Sequence, residues 1–194
     1  MTDHWPQLLA EIIARPLDDD IRLVAADWLE EQGDPRGEFI RVQCELARNT
    51  HNRARRRFTT PCGECDRVLQ LHVRERELLE ANGVRWLTES GIPAIMRFAY
   101  RRGFVEVVTC SWADWLAHAD ALQEATPLLE VRLLDVAELL AIANLVMGIH
   151  SDKYLKERWP DFHARGGKFV LPQVNVQDQW LAREIDQPTL LPSS

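Results

Sequence analysis

The chain holds 194 residues, 46% of them hydrophobic and 27% charged, with a formal net charge of −7. This composition excludes a disordered, collagen-like or disulfide-knot chain, and the length suits one domain or a small module attached to a second. The longest apolar run, Val136 to Ile149, contains Glu138 and Asn144 and is too short to span a bilayer, and the start MTDHWPQLL carries no basic-then-apolar export signal. Four cysteines without export predict a reduced, cytoplasmic setting.

The charge is unevenly placed. Residues 1–45 carry eleven acids against Arg15, Arg22, Arg36 and Arg41, which accounts for all of the −7. Arg48, Arg53, Arg55, Arg56 and Arg57 then follow with no acid between Leu46 and Gly63. An acidic segment beside a basic one either pairs internally or offers two patches to different partners.

In chain order, Leu8, Leu9, Ile12 and Ile13 share one helical face between Trp5 and Ala14, and Pro16 ends that helix. Asp18, Asp19 and Asp20 supply the N-cap and first-turn carboxylates of a second helix, with Ile21, Val24, Ala25, Trp28 and Leu29 as its buried stripe. Three consecutive aspartates cannot converge on one metal ion, so capping is their expected role. Gly33 is a C-cap, Asp34-Pro35 restarts the chain, and a third helix over 37–48 buries Phe39, Val42 and Leu46.

The string DDDIRLVAADWLEEQGDPRGEFIRVQCELAR resembles a short bacterial repeat-companion module, read as D-x-x-R-L-V-x-A-D-W-L-E-E-x-G-D followed by E-F-I-R-x-Q. The resemblance covers residues 6–48, about a quarter of the chain. Such modules often precede leucine-rich or similar repeats and carry no associated enzymatic activity. The resemblance therefore implies a scaffold or interaction context and transfers no catalytic residues.

Residues 49–61 lack an apolar period and read as a loop. A fourth helix is expected from Asp66 to Ala81, with Val68, Leu71, Leu78 and Leu79 inward and Asn82-Gly83 as its stop. RRGFVEVVTC, residues 101–110, reads as one buried strand. Ser111 and Asp114 form a capping box for a helix burying Trp112, Trp115, Leu116, Ala119 and Leu122. Beyond Pro127, Leu129, Val131 and Leu133 alternate with Glu130 and Arg132 in a second strand, so a βαβ unit with a parallel, right-handed crossover is predicted.

The offset of 26 residues from Val105 to Val131 lies within the leucine-rich-repeat range, although Val136 stands where that pattern wants Asn or Cys and no third copy follows. A further strand at 168–171 joins the sheet, and the tail 186–194 is expected to fray. The predicted fold is α+β: a helical module over 1–90, including the basic and cysteine loop 49–65, followed by a small leucine-rich-repeat-like α/β body over 91–185 with a short, mainly parallel sheet.

Cys62-Gly63-Glu64-Cys65 is a C-x-x-C turn of the kind that presents two thiolates to zinc. A closed site needs two more ligands; His72 and Cys44 are the leading candidates, with His51 and Cys110 also available. An unligated loop pair is the competing reading, and a redox pair is disfavoured because no thioredoxin-like strand precedes the motif. Arg53, Arg55, Arg56 and Arg57 beside that turn suit phosphate contacts, but Phe58 is the lone aromatic in the run and the pI near 5.4 does not fit a dedicated nucleic-acid binder.

No nucleophile-elbow, zincin, P-loop or dinucleotide-binding motif occurs. His118 and His163 read as surface or supporting histidines, Trp28, Trp112 and Trp115 as core, and Trp5, Trp159 and Trp180 as tryptophans free to contact a partner. The sequence thus predicts a non-catalytic protein–protein interaction module, an adaptor, scaffold or inhibitor subunit, without membrane or small-molecule substrate. Its contact surfaces would be the acidic face of Asp18, Asp19, Glu30 and Glu31 and the open sheet edge. The alternative is a zinc-stabilised nucleic-acid-binding accessory protein acting through Arg53–Arg57.

Overall fold

The structure, a computed structural model, describes residues 4–49, 63–93, 96–135 and 151–170. Cys62, Arg53, Arg55, Arg56, Arg57, His51, Val136, Trp180 and the tail 186–194 lie outside the described residues. The fold is α+β. Its elements run α1 (Trp5–Ala14), α2 (Asp19–Glu31), α3 (Arg36–Arg48), α4 (Gly63–Glu89), β1 (Arg97–Arg101), β2 (Phe104–Cys110), α5 (Trp112–Ala125), β3 (Glu130–Leu133), α6 (Ser151–Arg158), α7 (Pro160–Ala164) and β4 (Lys168–Val170).

Local chemistry sets the ends of the first helices. Asp18 accepts the Asp20 N–H at 3.0 Å and so caps α2. Gly33, at φ +74°, closes α2 in a Schellman arrangement: its N–H reaches the Glu30 carbonyl, and the Asp34 N–H reaches that of Leu29. Along α2 the buried stripe is Ile21, Arg22, Ala25, Ala26 and Leu29. Val24, expected inside, is 57% exposed, and an arginine lies in the core beside its position.

α3 is buried on two sides. Ile40 and Cys44 join Ile12, Ile21, Ala25, Ala26 and Leu29 in one core, while Phe39 and Val42 join Leu71, Leu78 and Trp86 of α4 in another. Phe39 stacks on Trp86 at 4.9 Å between ring centroids. Each such side chain contributes about 1.5–3 kcal/mol by leaving water, enough to hold helices too short to persist alone.

Two sequence expectations are corrected here. α4 does not stop at Asn82-Gly83; it runs on to Glu89 because Trp86 and Leu78 lie on its buried stripe, and the Asn82 side chain donates back to the Leu78 carbonyl at 3.1 Å. Tertiary burial outweighs the local breaker signal. Nor is 101–110 one strand. β1 and β2 form an antiparallel hairpin whose two-residue turn is Arg102-Gly103, with φ of 49° and 89°. Positive φ at both positions is the hairpin geometry that matches strand twist.

The sheet order is β1-β2-β3-β4, with β1 antiparallel to β2 and the pairs β2–β3 and β3–β4 parallel, as the βαβ pattern predicts. Val108 aligns with Val131 and Val131 with Phe169, so the crossovers advance 23 and 38 residues and no fixed repeat length runs through the sheet. The expected 26-residue alignment of Val105 with Val131 is not the one adopted, since Val108 takes that place; separately, the β1–β2 ladder carries a bulge. Ala99 opposes Val107 and Tyr100 opposes Val105, leaving Glu106 as the extra residue. Val105 and Val108 therefore face the same core, against Trp115, Leu122, Leu155, Trp159 and Phe162.

The Ser111 cap of α5 is present, its Oγ accepting the Asp114 N–H at 3.0 Å. Leu116, expected inside, is 51% exposed, and Trp159 lies in the core at 5%.

The hairpin tip enters the helical module. Phe104 belongs to the α1–α3 core, and a Cβ on Gly103 would overlap the Ile40 side chain. Gly103→Ala is therefore expected to lower unfolding free energy by about 2–3 kcal/mol, from overlap and strained φ together. Gly63→Ala, whose Cβ would meet nothing, leaves stability within about 1 kcal/mol of the parent in the same urea titration.

Candidate functional site

The acidic segment is largely compensated within the chain. α4 is zipped antiparallel to α3 and the turn before it by ion pairs: Arg85 with Asp34 of the turn at 3.1 Å, and Arg74–Glu38 at 2.6 Å and Arg67–Glu45 at 2.7 Å between the helices, the last two bidentate. Gln43 adds a 2.7 Å hydrogen bond to Glu75. The Arg74 guanidinium holds the Glu38 carboxyl below its ordinary value, and Arg67 does the same for Glu45. Of the proposed contact face, Asp18 meets Arg15 at 3.5 Å, Asp19 meets Arg48 at 3.1 Å, and Glu30 meets Arg41 at 2.9 Å. Glu31 is exposed and has no ion-pair partner among the described residues.

A second charge cluster is fully buried. Arg22 is 0% exposed and its Nη2 lies 2.7 Å from Glu106, itself 1% exposed. Arg22 also donates to the carbonyls of Arg102 at 2.9 Å and Pro16 at 2.7 Å. Arg102 grips Glu106 with a fork of 3.1 and 2.9 Å, and the Gly103 N–H reaches the Gln43 Oε1 at 2.7 Å. Burial pushes the Glu106 carboxyl up against the pull of the Arg102 fork, and burial likewise lowers the Arg22 value. These contacts join α2, α3 and the hairpin and are internal. Sequence reasoning missed both Arg22 and Glu106, since neither type is ordinarily fully buried.

The cysteine chemistry is divided. Gly63 and Cys65 lie in the first turn of α4, not in a free-standing turn before it. His72, seven residues on, is displaced about 10 Å along the same helix axis and pairs with Glu75 at 3.1 Å. Cys44 is packed in the helical core, and burial raises its thiol to about 11, as it does that of Cys110. Among the described residues no three His, Cys, Asp or Glu side chains come together as metal ligands.

One surface open among the described residues lies around β1, an edge strand of the sheet. Between β1 and α4 runs a cleft of about 460 Å³, walled by Leu79, Val84 and Leu87 on the helix and by Phe98 and Tyr100 on the strand. Val84 is 82% exposed and Phe98 37%, large apolar groups left in water. The opposite sheet face carries charge. Arg101, Arg132 and Lys168 surround the buried Glu130 carboxylate at 3.4, 2.6 and 3.1 Å, and Arg97 is exposed on the same face. Glu130, expected outside by simple alternation, is 4% exposed beneath those cations.

Glu106→Leu leaves two guanidinium groups facing an apolar side chain and is expected to cost about 3–5 kcal/mol in a urea titration, with loss of amide protection in β1 and the turn. The thiols give an independent check: Cys65 reacts with Ellman's reagent in the folded chain, while Cys44 and Cys110 react only on unfolding. Each raised thiol keeps its proton in the folded state after the unfolded chain has lost it. Stability therefore falls as pH climbs from 9.0 toward about 11, by about 1.4 kcal/mol per pH unit for each thiol.

Comparison of the chain with protein-family models, with curated proteins and with solved structures gives no match.

Proposed function

We propose that the chain is a non-catalytic protein-recognition module, an adaptor or scaffold, whose principal contact surface is the cleft between α4 and the edge strand β1. The observation that carries this reading is the joining of two features. The walls expose Val84 and Phe98, and the strand beside them has backbone groups with no ladder partner among the described residues. Unpaired strand edges and exposed apolar patches are both features that proteins protect unless they are used. The resemblance of residues 6–48 to a repeat-companion module points the same way, toward an interaction context rather than chemistry.

The buried titrating groups support it too. Arg22, Glu106, Cys44 and Cys110 are buried and committed to internal packing or pairing. No helix among the described residues is long and apolar enough to cross a membrane. The acidic face is a weaker contact surface than its composition suggests, because Asp18, Asp19 and Glu30 are already paired.

The test is affinity capture from an extract of the native host with three versions of the full chain. The parent is expected to retain a protein partner, Val84→Glu to lose it, and Glu31→Lys to keep it. Capture that survives Val84→Glu but fails with Glu31→Lys overturns the choice of surface in favour of the acidic face.

A further inference from the structure

β1 presents different chemistry on its two faces and, among the described residues, a backbone edge between them that is open at Phe98. Phe98 and Tyr100 point toward the α4 cleft, while Arg97, Ala99 and Arg101 alternate onto the charged face. The Tyr100 carbonyl accepts from the buried Gln43 side chain at 3.5 Å, so it is directed away from β2 and is already taken by α3, which leaves the open part of the edge at Phe98. By the strand's two-residue period the N–H and carbonyl of Phe98 are directed outward as well, and outside the sheet ladder they meet no backbone partner among the described residues.

Resting on the reading of this surface as a protein-recognition site, we propose that β1 takes an extended partner segment as an added strand. That segment alternates apolar residues, which enter the α4 cleft, with acidic residues, which lie across from Arg97 and Arg101. Cross-strand neighbours on one face stand close enough for opposite charges to attract and like charges to repel. Arg97 has no ion-pair partner among the described residues, and Arg101 shares only the Glu130 carboxylate. A second copy of β1 is a poor occupant for the same reason: antiparallel self-pairing about Ala99 sets Arg97 against Arg101. A nucleic acid offers phosphates to the charged face but nothing to the cleft or to the strand edge.

Gly83 is a second, independent observation. It lies inside α4, where glycine weakens a helix relative to alanine, yet a Cβ there would meet only Leu79 at an ordinary 3.7 Å. Internal packing does not require it. It lines the cleft, and it keeps the helix wall low where a partner strand would pass.

The test uses the full chain and a fluorescein-labelled heptapeptide alternating Glu and Val, capped at both ends, read by fluorescence anisotropy at low ionic strength. Three control probes are a Lys/Val peptide, a Glu/Val peptide N-methylated at alternate residues, and a short oligothymidylate. The Glu/Val peptide is expected to bind at least about tenfold tighter than each control. Gly83→Ala should weaken it about tenfold while raising the thermal midpoint, which separates loss of the site from loss of the fold. Arg97→Glu should shift preference toward the Lys/Val peptide.

Equal binding of the Glu and Lys peptides, undiminished binding of the N-methylated peptide, tighter binding of the oligothymidylate, or no binding by any probe overturns the strand-addition proposal. If host capture depends on Val84 while the Glu/Val peptide fails to bind, protein recognition at the cleft stands and strand addition falls. If the peptide binds but capture ignores Val84→Glu, the strand site stands and its assignment as the principal contact surface falls.

Discussion

The structure depends on a pair of opposite charges kept out of water, Arg22 on α2 and Glu106 on β2, 2.7 Å apart. Taking two ions into a protein interior costs several kcal/mol each, recovered only when the remaining hydrogen-bonding capacity is also met. Arg102 completes the Glu106 carboxylate from the hairpin turn, and the carbonyls of Arg102 and Pro16 accept from Arg22. Pro16 supplies its carbonyl from the helical module itself, while Glu106 and Arg102 come within reach only when the hairpin tip sits inside that module. The bulge that isolates Glu106 from β1, the glycine at 103 and the Gln43 bond to its N–H are consequences of that single placement.

Insertion of the tip also creates the outer surface. Because Arg102-Gly103 is held by α2 and α3, β1 is drawn back alongside α3 and α4, where Tyr100 meets Phe39 of α3 edge-on at 5.5 Å and its hydroxyl donates to the Gly83 carbonyl of α4 at 3.5 Å. The ion-pair zipper between α3 and α4 then fixes which residues of α4 form the opposite wall of the cleft. The acids that dominate the first 45 residues are therefore mainly an assembly device: they set the registry of α2, α3 and α4 through arginines of the same chain. The net charge says less about a partner than the local arrangement does, since the open sheet face is cationic in a chain of net −7.

Much of the fold was legible residue by residue. Asp18 and Ser111 cap helices where the capping rule puts them, Gly33 ends α2, and β3 and β4 add parallel strands where alternation and β-branching place them. The hairpin was not legible, because Arg102-Gly103 lacks the asparagine or aspartate that usually announces such a turn, and the apolar run beyond it reads as one strand. Asn82-Gly83 misled in the opposite sense: a local stop signal was overridden by the burial of Trp86 beyond it. Of the site, the open sheet edge was anticipated in kind, but Val84, Gly83 and Phe98 carry no sequence signal of their own. They matter only because the chain folds β1 back beside α4, the element before it.

The sequence by itself determined α1, α2, α3 and α5, the caps of α2 and α5, the parallel pairing of β2 with β3 and the concentration of acid in the first module, because these follow from periodicity and from contacts a few residues apart. Tertiary structure alone decided which charges are buried, where the hairpin turns and which apolar side chains stay in water. Those outcomes depend on pairing across long separations, Arg22 with Glu106 and Gln43 with Gly103, and a residue's type does not disclose which distant neighbour will neutralise or cover it.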